Sequence, residues 1–152
     1  MTSKEQILSA LQNLCVRREY CTSDIRRKAL DRCEGDKAMA DELVTSLKAD
    51  RFVDDVRYAS AFAREKSSLT GWGPVKIRFA PRAKGLSEGD IAAGLAEIEP
   101  DRASSRLESL LQNKWKTLSD DPAGRLKLIR FALSRGYEYS QVEDIVNEIT
   151  RQ

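Results

Sequence analysis

Three glycines, each followed within a few residues by a helix-capping side chain, outline this 152-residue chain. Gly35 precedes Asp36, Gly85 precedes Ser87 and Gly136 precedes Ser140, so the stops recur about every fifty residues. Glycine ends helices because it enters the left-handed backbone without steric cost. Asp or Ser starts them by accepting a hydrogen bond from a free N–H of the first turn. Around these stops the apolar residues recur at three- and four-residue spacing. Ile7, Leu8, Leu11, Leu14 and Cys15 make one stripe, and Met39, Ala40, Leu43 and Leu47 a second. Ala103, Leu107, Leu110, Leu111 and Trp115 make another. Alternation of the strand kind is short everywhere. Local strings also repeat: Arg78-Phe79-Ala80-Pro81 matches Arg130-Phe131-Ala132-Leu133, and Lys84-Gly85-Leu86 matches Arg135-Gly136-Tyr137. The period predicts an all-α fold of three tandem three-helix repeats, over residues 1–50, 51–99 and 100–152, stacked into an elongated, curved array.

Nine helices are expected. Ser3 and Gln6 form a capping box for the first. Thr22 is placed to cap the second, Asp36 the third, and Asp54 or Asp55 the fourth, which runs to about Ser68. Trp72 reads as a hydrophobic plug beneath the Gly71-Trp72-Gly73 turn, with a recognition role as the alternative. Pro74 starts the fifth helix, with Val75, Ile77 and Phe79 as its apolar contacts. Pro81 predicts a kink or early end near Ala80, since an interior proline costs about 3 kcal/mol. Ser87 caps the sixth helix, and the seventh begins near Pro100-Asp101. Pro122 starts the eighth, with Leu126, Ile129 and Leu133 inward, and Ser140 with Glu143 boxes the ninth.

Composition narrows the function. The hydrophobic share of 41% against a charged share of 33% suits short amphipathic helices around a thin core. There is no histidine, which removes the Ser-His and Cys-His nucleophile pairs and the commonest general base. No phosphate-binding loop or HExxH string occurs, so no enzyme is expected. Cys15, Cys21 and Cys33 are odd in number and read as thiols packed in or near the core. No cofactor or metal site is expected. No apolar run reaches membrane-spanning length and the start of the chain lacks a secretory layout, so a cytoplasmic protein is expected.

Charge is segregated although the net value is only +2. Between Arg64 and Lys84 the basic residues Arg64, Lys66, Lys76, Arg78, Arg82 and Lys84 face one acid, Glu65. The following stretch carries Glu88, Asp90, Glu97, Glu99 and Asp101. The basic stretch is the candidate surface for a polyanion or an acidic protein. Arg26, Arg27, Lys28, Arg130 and Arg135 extend it along the other repeats. The competing reading is that these are ordinary soluble faces that pair with one another within the fold.

The order of several short strings resembles a known family. They are Leu47 through Val53-Asp54-Asp55, then Tyr58-Ala59-Ser60-Ala61-Phe62, Gly73-Pro74-Val75-Lys76-Ile77, Lys84-Gly85-Leu86-Ser87, and Arg135-Gly136-Tyr137. In this order and spacing the chain resembles the RecX family, regulators of the RecA recombinase. Pro81 departs from the family pattern, which places a helix-building leucine there, and Phe52-Val53 replaces the usual tyrosine-leucine. The resemblance implies helical modular repeats without enzymatic activity. It implies binding in the groove of the RecA–single-stranded DNA filament, with inhibition of ATP hydrolysis and strand exchange. DNA repair, recombination and the SOS response would be the setting, with a monomer that touches single- or double-stranded DNA weakly at most. The residues carried over as the filament-facing surface are Arg64, Lys66, Lys76, Arg78, Arg82 and Lys84. The alternative is a helix-turn-helix protein that binds DNA directly.

Overall fold

The computed structural model describes residues 3–98 and 100–151, with side chains described for all of these except residues 100–103. Glu99 and the side chains of Asp101 and Ala103, invoked above, lie outside the described residues. Among the described residues there are helices and no strand. They are α1 (Lys4–Arg17), α2 (Thr22–Arg32), α3 (Lys37–Ala49), α4 (Asp55–Leu69), α5 (Pro74–Ile77), α6 (Phe79–Ala83), α7 (Glu88–Leu95), α8 (Pro100–Leu118), α9 (Gly124–Ser134) and α10 (Tyr139–Thr150). The chain divides into two compact units. One comprises Met1–Ala61 with Pro81–Gly94, and the other Phe62–Ala80 with Leu95–Gln152.

The first unit closes around Leu11, Ile25, Leu43, Leu47 and Val53, all at 2% exposure or less. Its helix starts obey local chemistry where that chemistry is close at hand. Ser3 and Gln6 exchange both bonds of the capping box. The Asp36 carboxylate accepts the Met39 N–H at 3.1 Å, and the Ser87 hydroxyl accepts the Asp90 N–H at 3.1 Å. Thr22, expected as a cap, is instead the first residue of α2. Its N–H and hydroxyl both donate to the Asp55 carboxylate, at 2.8 and 3.0 Å. A negative charge is well placed at that positive helix end. The adjacent aspartates thus divide the work: Asp54 accepts the Arg57 N–H and starts α4, while Asp55 caps α2 from thirty-three residues away.

Lys84 and Asp24 form the other long-range tie in this unit. The Lys84 ammonium donates to Asp24 at 2.5 Å and lies 5.8 Å from the centre of the Tyr58 ring. Burial opposes ionisation of Asp24, yet the Lys84 hydrogen bond and charge, together with a Cys21 hydrogen bond and the Arg27 charge, outweigh it and hold the carboxyl below its usual range. The Asp24 hydrogen bond raises Lys84 above its own, against a smaller effect of burial.

The second unit packs α8, α9 and α10 around Leu107, Leu111, Leu128, Ala132, Val142 and Val146, each fully buried. Three expectations fail here, each for a visible reason. α9 begins at Gly124 rather than Pro122, because the Asp121 carboxylate takes the Ala123 N–H at 2.8 Å and holds the preceding turn. Gly124 lies against the Leu118 carbonyl and the Trp115 ring. That sets positions 124, 128 and 132 inward at four-residue spacing, and turns Leu126 (49% exposed) and Leu133 (40%) to water. In α10 the N-cap is Glu138 without a side-chain bond, so the Ser140–Glu143 box does not form. The chain enters that helix directly from Tyr137, which is buried with its hydroxyl donating to the Gly71 carbonyl at 3.3 Å.

The third failure concerns the stretch before Gly85. One helix is expected from Pro74 to Lys84, with a kink or an early end near Ala80; two short ones form, parted at Arg78. Proline lacks an N–H and its ring meets the carbonyl four residues earlier. For Pro81 that carbonyl belongs to Ile77, so the break falls a turn upstream. With only one turn in α5, Ile77 alone of the three apolar residues is buried; Val75 and Phe79 stand out together, Phe79 at 61% exposure.

Gly35, Gly85 and Gly136 all adopt left-handed φ, at 87°, 84° and 92°. After Gly85 and Gly136 the next N–H reaches back five residues, Leu86 to Pro81 and Tyr137 to Ala132. Their surroundings differ. A methyl group on Gly85 meets open space, whereas one on Gly136 lies 2.6 Å from the Lys76 backbone nitrogen. Gly85→Ala is therefore expected to cost about 1 kcal/mol, the conformational term alone. Gly136→Ala should cost about 3 kcal/mol, because overpacking is added. Urea unfolding of both variants checks this, and equal losses would remove the close approach as a source of stability.

Lys84→Met tests the ion pair. More than a third of the Lys84 side chain remains in water, so a loss of about 1 kcal/mol is expected at neutral pH. Asp24 has a lowered pKa when folded, so its contribution is present above the unfolded value near 3.9 and fades as pH falls through the folded one. Lys84 has a raised pKa, so its contribution fades only as pH rises through the folded value, above about 10.4. The stability gap between wild type and variant should be flat from about pH 5 to 9 and close in acid. A gap that persists at pH 2 would assign the effect to packing.

Candidate functional site

The basic residues singled out from the sequence meet different fates. Arg82 forms a two-pronged contact with Glu88, at 2.6 and 3.1 Å. That hydrogen bond, with the charge behind it, raises the Arg82 pKa further. Lys84 is held by Asp24, as described. Arg64 approaches Glu97 at 3.9 Å. Two of the six thus face the acidic stretch that follows them in sequence. On the secondary surface, Arg26 bonds Asp41 at 2.9 Å. Arg135 donates to the Thr70 carbonyl at 3.2 Å and lies 5.1 Å from the centre of the Phe131 ring. Arg27, Lys28 and Arg130 are exposed and form no ion pair among the described residues.

Lys66 and Lys76 are brought together by Trp72. The Lys66 ammonium lies 5.0 Å from the indole centroid and that of Lys76 lies 4.5 Å from it. Lys66 also lies 5.6 Å from the Phe62 ring. Neither lysine has a carboxylate partner among the described residues, and neither has exposed Arg78 beside them. Trp72 is half-buried, so the turn uses one part of the ring as a plug and leaves the rest under the two ammoniums. Attraction between a cation and an aromatic face contributes about 0.5–1 kcal/mol at exposed positions and about 2 kcal/mol where desolvated, and these half-buried side chains lie between. It orders each lysine without cancelling its charge.

What fixes this cluster is a backbone junction. Gly73 donates to the Arg135 carbonyl at 2.6 Å and Val75 to the Gly136 carbonyl at 2.9 Å. A side chain at Gly73 would meet the Gly136 carbonyl oxygen at 2.5 Å, so the two strands of chain touch only because both positions are glycine. In the sequence Gly73 reads as part of a turn; its second use is hidden there, since nothing local links it to a residue sixty-three positions later.

Arg106 and Tyr137 were also missed as functional candidates. Arg106 donates to the hydroxyl of Ser67, which is buried. Burial pushes the Tyr137 hydroxyl up, while the charges of Arg106 and Arg135 pull the other way. These residues border an open cleft of about 420 Å³ between the end of α4 and the face of α8. Elsewhere, Cys21 and Cys33 are buried thiols, and burial raises the Cys33 pKa. Among the described residues no group of three or more His, Cys, Asp or Glu could hold a metal ion, and no helix is long and apolar enough to cross a membrane.

Comparison with known proteins fits this architecture. A family model for the second three-helix domain of RecX matches residues 54–95, and one for the third three-helix domain matches residues 102–146. A Regulatory protein RecX from Pseudomonas entomophila is 31% identical over 131 residues, covering 86% of this chain and 83% of the relative. Another, from Clostridium botulinum, is 35% identical over 106 residues, covering 67% of this chain but only 49% of the relative, so this chain spans about half the clostridial protein. The crystal structure of RecX from Lactobacillus salivarius superposes with a TM-score of 0.87 over 98% of this chain and 97% of that one. At 16% identity that likeness speaks to the fold. Two domain models matched in order, together with a relative 31% identical across most of both lengths, place this chain in the RecX family of regulatory proteins.

Proposed function

We propose that this chain is a negative modulator of the RecA recombinase. It binds in the groove of the RecA–single-stranded DNA filament and slows ATP hydrolysis and strand exchange. The observation that carries this reading is the ordered match to the second and third RecX domains, which extends the resemblance read from the motifs. The chain acts by binding, without catalysis, as a cytoplasmic monomer built of three-helix units over residues 1–50, 51–99 and 100–152. DNA repair and the SOS response are its setting.

The filament-facing surface proposed from the sequence comprised Arg64, Lys66, Lys76, Arg78, Arg82 and Lys84. Ion pairing narrows the emphasis to Lys66, Lys76 and Arg78, with Trp72 beneath the lysines and the exposed Val75 and Phe79 beside them. Uncommitted charge next to exposed apolar surface suits a protein partner better than bare phosphate, because both kinds of group then find complements. A second reading is direct DNA binding by a helix-turn-helix, favoured by the run of exposed Arg26, Arg27 and Lys28 on α2.

The test is ATP hydrolysis by the cognate RecA on single-stranded DNA, with this protein added well below the RecA concentration. Inhibition is expected. Lys76→Glu with Arg78→Glu should raise the concentration needed for half-inhibition at least about tenfold, with helicity unchanged. Full inhibition by the folded double variant would refute the surface. Under the DNA-binding reading, the protein alone would bind duplex DNA with affinity falling about 0.9 log unit per log unit of salt for each phosphate contacted.

A further inference from the structure

The cleft between the end of α4 and the face of α8 is not used by any surface described above. Ser67, Ser68 and Gly71 form one wall, and Ser105, Arg106 and Ser109 form much of the other. Its volume, about 420 Å³, lies in the range of small-molecule sites. Three features set its chemistry. None of the described residues lining it is acidic, and Arg106 gives it a positive charge. The guanidinium has five N–H donors, of which the bond to the Ser67 hydroxyl uses one and fixes the group's place in the wall. The rest of the wall combines serine hydroxyls and the Asn113 amide, which donate to an anion without repelling it, with Gly71 and the Leu110 and Tyr137 side chains.

A neutral apolar ligand would leave Arg106 and the hydroxyls without partners, and a cation would meet Arg106. A carboxylate would satisfy the charge but leave most of the donors idle. A phosphate group brings several acceptor oxygens and suits a planar guanidinium backed by hydroxyls. Tyr137 closes the cleft at the Gly71 end, its hydroxyl donating to the Gly71 carbonyl at 3.3 Å, so it contributes shape rather than a free donor. Arg135 is also near this end, held on the Thr70 carbonyl.

We propose that this cleft is a phosphate-binding site, centred on Arg106 and the serine hydroxyls around it. The proposal does not depend on the regulation of RecA. The phosphate can come from a free nucleotide or from the backbone of a nucleic acid, since both present the same oxyanion.

Calorimetric titration of the full chain, without any partner, tests the site. The probes are inorganic phosphate, ATP without magnesium, and a short oligothymidylate. Two variants accompany the wild type. Arg106→Gln removes the charge, and Ser109→Asp places a carboxylate in the cleft at an exposed position. Saturable binding of at least one probe is expected, weakened about tenfold or more by each folded variant and partly restored in Arg106→Lys. Binding of phosphate and ATP would identify a free nucleotide as the source, and binding of the oligonucleotide alone would identify the nucleic-acid backbone. No saturable binding by wild type up to about 10 mM ATP or phosphate and none of oligothymidylate would overturn the proposal. So would oligonucleotide binding that survives Ser109→Asp at full strength, because the exposed basic residues elsewhere would then account for it.

Discussion

Two peptide backbones meet at Gly73 and Gly136, and the arrangement of the second unit follows from that contact. Side chains normally keep chain segments apart; here their absence allows Gly73 to donate to the Arg135 carbonyl at 2.6 Å. A hydrogen bond between backbone groups contributes only about 1 kcal/mol net. Its larger effect is geometric. It delivers Trp72 to one side of the turn and the first residues of α5 to the other, which places Lys66 and Lys76 on the same indole. It also brings Tyr137 within reach of the Gly71 carbonyl, and so shapes the end of the Arg106 cleft. The basic cluster and the cleft are separate in chemistry but share this one support.

Much of the fold was legible in the sequence, because its cues are local. The Ser3–Gln6 box, the Asp36 and Ser87 caps and the three left-handed glycines act on neighbours a few residues away. Failures occur where a distant group substitutes for a local one. Thr22 lost its capping role to Asp55, whose carboxylate sits at the helix end only after the first unit has folded. The phase of α9 could not be read from Gly-Arg-Leu-Lys-Leu-Ile-Arg-Phe-Ala-Leu, since that string offers leucines on two faces. Gly124 decided between them by allowing contact with the end of α8. Pro81 announced a break, but its position required following the proline ring back to the carbonyl it meets.

The candidate surface was less legible than the fold, for a related reason. A run of basic residues states how much charge a stretch carries, not where that charge is spent. Lys84 and Lys76 look equivalent in sequence, eight residues apart in the same basic block. In the structure Lys84 is tied to Asp24, whose side chain is only 14% exposed, while Lys76 rests on Trp72. Arg82 and Arg64 likewise face glutamates supplied by the acidic stretch that follows. The segregation of charge along the chain therefore serves two ends at once, internal pairing for some residues and a residual positive field for others.

That division matters for recognition. An ion pair at hydrogen-bond distance leaves only a dipole, whose field decays steeply and is screened further by salt over about 8 Å. A lysine stacked on an indole keeps its full charge, because the ring is attracted by its quadrupole and has no net charge to set against it. Its stem is already partly ordered, so less side-chain entropy, up to about 2 kcal/mol for a free lysine, remains to be lost when a partner binds. Lys66 and Lys76 hold a charge that an anionic group can still claim, on side chains already held in place. A turn that needed only a hydrophobic plug would be served as well by leucine or phenylalanine; the indole has the strongest face for cations. Trp72 links the packing of the Gly73–Gly136 junction to the presentation of charge, a coupling that a basic block on an ordinary solvated helix lacks.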